Sequence, residues 1–174
     1  MSKLFAALAG ALLSLAFGGV VGAGETPAVS GSAVLKLKLA GPADAAFPLF
    51  DPVNESRWSP DWSPRFLAAP PRVAAGLVFV TTSQSGKPTV WLLDRYDAAS
   101  RTMRYVAFKA GRTLSLLDIS VQPRGTRACE ATIRHVQTAL DSSANDDVRE
   151  SAREFPSERS HWEAALNSVL REHR

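Results

Sequence analysis

Residues 76–139 constrain the fold more than any other part of this chain. Segments rich in β-branched and aromatic side chains follow one another there with almost no room between them. Residues 76–82, 89–96, 103–108, 113–121 and 126–139 read as strands, separated by the turn signals Gly86 with Pro88, Asp97 to Arg101, Ala110 with Gly111, and Pro123 with Gly125. Connections this short join antiparallel neighbours, because a parallel pair needs a crossover of a dozen residues or more. The segments therefore form a meander of about five strands.

An isolated strand precedes the meander. Leu35, Leu37 and Leu39 alternate with Lys36 and Lys38, and a period of two marks a strand with one face buried. Gly41 and Pro42 end it, and Pro42 suits the start of a helix running into Phe50. Residues 66–75, rich in Ala and Pro, read as a connection.

The tail changes period. Val148, Ala152 and Phe155 fall at helical spacing, and Pro156 then breaks or kinks the run. Trp162, Ala165, Leu166, Val169 and Leu170 follow as an amphipathic stripe, with Arg159, Glu163, Arg171 and Glu172 on the opposite face. Such a helix needs an apolar surface, and the concave side of a curved sheet supplies one. Asp146 and Asp147 read as acids at a helix start.

Between the first strand and the meander lies a block of unusual composition, residues 47–64. It holds Trp58 and Trp62, two of the four tryptophans, together with Pro48, Pro52, Pro60 and Pro64. Prolines at that density exclude a long helix, and large aromatics exclude a disordered linker. The block reads as short helical turns set at fixed bends, with two indoles placed to fill or cover something apolar.

Composition excludes several function classes. The 174 residues suit one domain, and a net charge of +3, spread along the chain, gives no nucleic-acid footprint. A single cysteine, Cys129, rules out an internal disulfide, and its strand setting makes it a packing residue. His135, His161 and His173 stand too far apart for a metal motif. No catalytic triad, phosphate loop or cofactor motif is present.

The first residues carry a sorting signal. Lys3, an apolar stretch over residues 4–17, and the small residues Val21 and Ala23 at the end predict a secretory signal peptide over residues 1–23. The same stretch is long enough to be an uncleaved anchor instead. With cleavage, residues 24–31 are a flexible lead-in, residues 32–174 form the mature domain, and the product is exported, periplasmic or extracellular, with no stable membrane anchor.

These segments, in this order, resemble the START-like proteins of the polyketide cyclase/dehydrase and lipid-transport (SRPBCC) superfamily, in particular a bacterial subgroup. The likeness rests on Phe47, Pro48, Leu49, Phe50, Asp51 and Pro52 with Glu55, Trp58, Asp61 and Trp62. Thr89, Trp91, Arg95, Tyr96, Asp97 and Tyr105, then Thr138, Leu140, Asn145, Trp162, Leu166 and Asn167, extend it over residues 32–170. The resemblance implies an α+β helix-grip fold: a curved antiparallel sheet of about six strands wrapped around a long C-terminal helix, with short helices after the first strand. It also implies an apolar cavity between sheet and helix for a hydrophobic small molecule or lipid, and in some members cyclisation or dehydration chemistry. A signal peptide is not typical of the superfamily, and Pro156 interrupts the last helix.

The candidate ligand-binding residues are Glu55, Trp58, Trp62, Trp91, Arg95 and Tyr105, with Phe79 and Phe108 as further aromatic stock. Each aromatic is either cavity wall or plain core. Alternation from Trp91 through Leu93 puts Arg95 on the inner face, either meeting an anionic ligand head or paired with Glu55. Three readings follow: a ligand-binding domain, an enzyme of cyclase or dehydratase type, and an envelope protein that contacts another protein through an exposed apolar patch.

Overall fold

The computed structural model describes residues 26–68, 70–83 and 86–172, so the expected signal peptide lies outside the described residues. Strand β1 (Ser30–Leu39) leads into helix α1 (Ala43–Ala46) and two 3₁₀ turns, Phe47–Phe50 and Glu55–Arg57. Strands β2 (Arg65–Phe66), β3 (Leu77–Thr82), β4 (Pro88–Asp97), β5 (Thr102–Lys109), β6 (Thr113–Pro123) and β7 (Cys129–Ala139) follow. A 3₁₀ turn (Ser142–Ala144), helix α2 (Asn145–Glu154), another 3₁₀ turn (Phe155–Glu158) and helix α3 (Arg159–Glu172) close the chain.

All pairings are antiparallel, in the order β1-β7-β6-β5-β4-β3-β2. This is the expected helix-grip arrangement, with seven strands instead of about six. The additional strand, β2, pairs two residues with β3 at the start of the stretch read as a connection. Two residues are too few to show a period. The lead-in is also shorter than expected: Ser30 and Gly31 already pair with Thr138 and Gln137, and the Val29 N–H donates to Asn145 Oδ1 at 2.9 Å.

Leu35, Leu37 and Leu39 face inward, as their alternation predicts, and join Leu93, Met103, Val121, Ile133 and Leu166 in the core. Helix α3 lies along β1, which is one edge of the sheet, and covers its backbone. Asn167 Oδ1 accepts from the Ala40 N–H at 2.6 Å, its Nδ2 donates to the Lys38 carbonyl at 3.1 Å, and Glu163 Oε1 accepts from the Lys38 N–H at 2.7 Å. An edge strand left open invites pairing with another chain, and these side chains occupy it instead. Pro156 ends α2, and the run resumes in α3 after one 3₁₀ turn. That offset carries Phe155 and Trp162 over the sheet, where both pack on the core.

One irregularity reverses a sequence expectation. In β4, Leu93 stands opposite Tyr105, but Arg95 stands opposite Arg104, leaving Asp94 as the extra residue of a β-bulge. The bulge shifts the alternation by one. Tyr96 takes the inner face against Phe47, with ring centroids 5.3 Å apart, and Arg95 is exposed on the outer face.

Candidate functional site

The proline-rich block folds back on itself, and its tryptophans do the fastening. Asp51 is buried, and its carboxylate accepts from the N–H groups of Val53 (2.9 Å) and Asn54 (2.8 Å) and from Asn54 Nδ2 (2.8 Å). This Asx turn directs the chain into the 3₁₀ turn at Glu55. Trp58 Nε1 then donates to the Leu49 carbonyl at 2.7 Å, and Trp62 Nε1 donates to the Pro52 carbonyl at 2.9 Å. Both bonds are local, so the positions of the indoles are set within the block.

The block closes over a cavity of about 220 Å³, lined by Phe50, Glu55 and Trp62 from the block, Phe79, Trp91, Tyr105, Leu117 and Ile119 from the sheet, and Phe155 and Trp162 from the tail. Its wall is a fitted set of rings. Phe79 and Trp91 stack with planes 1° apart and centroids 5.9 Å apart. Trp62 meets both edge-on at 5.8 and 5.9 Å, and Tyr105 meets both edge-on at 6.2 Å. Edge-to-face contacts at these spacings hold rings in fixed orientation. Phe155 and Trp162, 6.0 Å apart, form the opposing side.

The polar ends of these rings point away from the space. Trp91 Nε1 donates to Thr81 Oγ1 at 2.9 Å, and the Tyr105 hydroxyl donates to the Phe50 carbonyl at 3.0 Å. Burial, then the Glu55 and Asp51 carboxyls, hold the Tyr105 phenol far above its ordinary pKa. One ionisable group remains in the wall. The Glu55 carboxyl makes no hydrogen bond or ion pair with a described residue, and burial first, then the charge of Asp51, push its pKa from 4.5 up to about 8.

Four of the six residues singled out from the sequence, Glu55, Trp62, Trp91 and Tyr105, line this space. Trp58 does not. It is 7% exposed and sits behind the wall, packed on Trp162 at 5.1 Å and on Phe50 at 6.4 Å. Arg95 does not either, because the bulge turns it outward, and the expected pair with Glu55 is absent. Phe108 faces out as well and is 43% exposed, since alternation from Tyr105 gives the inner face to Ala107. Phe50, Phe155 and Trp162 also line the space, outside the residues singled out from the sequence. The amphipathic stripe was the available signal for Trp162.

Cys129 has the packing environment its strand setting predicts, and His135 also packs on an aromatic ring. Cys129 is buried, and burial pushes its thiol up to about 11. His135 packs on Phe155 with ring centroids 5.2 Å apart, and burial followed by Lys109 lowers its pKa. Among the described residues no cluster of His, Cys, Asp and Glu has the makings of a metal site, and no helix is long and apolar enough to cross a membrane.

The outer face of the sheet is apolar in one region. Val80, Val90, Phe108 and Leu114 align across β3 to β6, and beside them Val78, Leu92, Val106, Leu116 and Val136 align across β3 to β7.

No family model and no curated protein matches this sequence. Solved structures do match. Norcoclaurine synthase from Thalictrum flavum, in complex with dopamine and hydroxybenzaldehyde, is similar with a TM-score of 0.65 at 13% identity, over 100% of this chain and 99% of that one. The Zhui aromatase/cyclase from Streptomyces sp. R1128 has a TM-score of 0.64 at 13% identity, over 83% of this chain and 96% of that one. Ara h 8.0201 has a TM-score of 0.61 at 11% identity, over 83% and 99%. The chain has the helix-grip fold, which these structures share with it.

Proposed function

We propose that this domain binds a hydrophobic or amphipathic small molecule between its sheet, its proline-rich block and its C-terminal helix, and that it works after export from the cytoplasm. One observation carries the reading: a cavity of about 220 Å³ with an aromatic wall and one free carboxyl. An engineered apolar cavity of about 150 Å³ admits benzene, so there is space here for a compact ring system with a substituent. The relatives named above for dopamine and hydroxybenzaldehyde and for aromatase/cyclase action support a ring-bearing ligand. Titration with N-phenyl-1-naphthylamine tests this, read by probe emission and tryptophan quenching. Saturable binding by the wild type, lost in Leu117→Trp with the fold intact, is expected; no binding by the wild type overturns the proposal. For export, the intact mass of the secreted protein should lack residues 1–23, and a mass that retains them overturns cleavage.

A second reading, an enzyme of cyclase or dehydratase type, is favoured by Glu55. A carboxyl whose pKa burial pushes up to about 8 is suited to general acid–base work near neutral pH. Catalysis would require Glu55 to reach a proton of the bound molecule, and an inactive Glu55→Gln that retains ligand affinity would mark it. A third reading, contact with another protein, rests on the two apolar rows of the outer face. Light scattering and pull-down with Phe108→Ser test it, and an unchanged set of partners removes it.

A further inference from the structure

The cavity has a charge preference written into its wall. Its side chains include an acid, Glu55, and no base. Of the four N–H and O–H donors that its aromatics own, three are committed elsewhere, Trp62 to Pro52, Trp91 to Thr81 and Tyr105 to Phe50, which leaves the indole N–H of Trp162. An anionic ligand therefore meets a carboxyl, no base, and at most one ring donor, the Trp162 indole N–H. A cation meets π-systems, whose faces attract positive charge most strongly when water is excluded. It also meets a carboxyl that pairs with no described residue, and burying a charge is tolerable when an opposite charge and hydrogen bonds meet it.

Resting on the ligand-binding reading above, we propose that the cavity selects molecules carrying an ammonium group, with Glu55 as counter-ion, the Trp62, Trp91 and Tyr105 rings around the cation and an apolar body beside it. Among the described residues that line the cavity none is basic. Asp51 adds a second negative charge nearby, although its carboxylate is occupied by the Val53 and Asn54 donors. Strands β3, β4 and β6 contribute Phe79, Trp91, Leu117 and Ile119, and the tail contributes Phe155 and Trp162, none of which titrates. Tyr105 on β5 is neutral, its phenol held far above its ordinary value. His135 on β7 lies behind Phe155, and its lowered pKa leaves it uncharged at neutral pH. Lys109, which contributes to that lowering, is not among the residues lining the cavity.

The position of Glu55 makes the selection pH-dependent. In the empty cavity its carboxyl is protonated up to about pH 8. Capture of a permanent cation requires it to ionise, so binding releases a proton and strengthens as pH rises. If the cation binds the ionised form alone, affinity increases about 100-fold between about pH 6 and pH 9.

Phenyltrimethylammonium and its uncharged isostere tert-butylbenzene separate charge from shape. Calorimetric titration of both into wild type and Glu55→Gln, at acid and alkaline pH, is the test. In the wild type at alkaline pH the cation should bind at least about tenfold more tightly than the isostere. That preference should collapse at acid pH and in Glu55→Gln, which should still bind tert-butylbenzene and so report an intact cavity. Equal affinity for the two probes at alkaline pH, or an unchanged cation affinity in Glu55→Gln, overturns ammonium selection and leaves the cavity reading standing. Failure of both probes to bind the wild type overturns both.

Discussion

Glu55→Gln removes the carboxyl of the cavity wall and keeps its size. In the unfolded chain Glu55 titrates near 4.5, whereas in the fold its pKa rises to about 8. A group that holds its proton more tightly when folded stabilises the fold only while that proton is retained. Below 4.5 the carboxyl is protonated in both states, and the substitution should change little. Between 4.5 and about 8 the unfolded chain gives up the proton and the folded one keeps it, so wild-type stability falls as pH rises, reaching its full loss above about 8. At about 1.4 kcal/mol for each tenfold difference in proton affinity, the ceiling is on the order of 5 kcal/mol. Glu55 is only half-buried by surface area, and water at the mouth screens it, which reduces the expected gain to about 2–3 kcal/mol. Urea unfolding followed by tryptophan emission, at about pH 4, 6 and 9, measures the difference. Glu55→Gln should match the wild type at the lowest pH and become progressively more stable than it as pH rises. A gap that does not change with pH, or one that favours the wild type at high pH, refutes the reasoning.

Three further outcomes follow from the same geometry. Asp51→Asn keeps an acceptor for the Asx turn and removes a charge, so the Glu55 carboxyl should titrate lower, though still above 4.5 because burial is the larger cause, as a carbon-detected NMR titration would show. Trp58→Phe strands the Leu49 carbonyl and should cost about 1–3 kcal/mol; naphthylamine affinity should stay unchanged, whereas Trp62→Ala should abolish it. In Gly31→Ala the new Cβ would lie 3.1 Å from Val148 Cγ1, 3.2 Å from Ala152 Cβ and 3.3 Å from the Val148 carbonyl oxygen. That overpacking should cost about 1–3 kcal/mol and lower the melting temperature.

The fold was legible because its elements obey simple periods. The Leu35, Leu37 and Leu39 alternation, the short turns from Gly86 to Gly125 and the Trp162 to Leu170 stripe each point to one geometry, and the resemblance to START-like proteins implied their assembly as a sheet gripping a helix. The site was legible in part. The density of prolines around Trp58 and Trp62 identified a rigid cover, and Glu55 was recognised within it. Which indole reaches the cavity depends on the bonds to Leu49 and Pro52, and no period encodes those. Arg95 was misplaced because a bulge at Asp94 changes the side of every later residue in the strand, and Asp94 carries no glycine or proline to announce it. Phe155 and Trp162 enter the wall only because the tail is offset at Pro156, a consequence of packing over a long sequence separation.

The central claim is that the space among Trp62, Trp91, Tyr105 and Trp162 receives a small apolar molecule. A crystal soaked with naphthalene tests it most directly. The account predicts density for the ring system between the stacked Phe79–Trp91 pair and Trp162, with the Trp58 side chain unmoved. Crystals that show these side chains closed against one another, with naphthalene elsewhere or nowhere, contradict it.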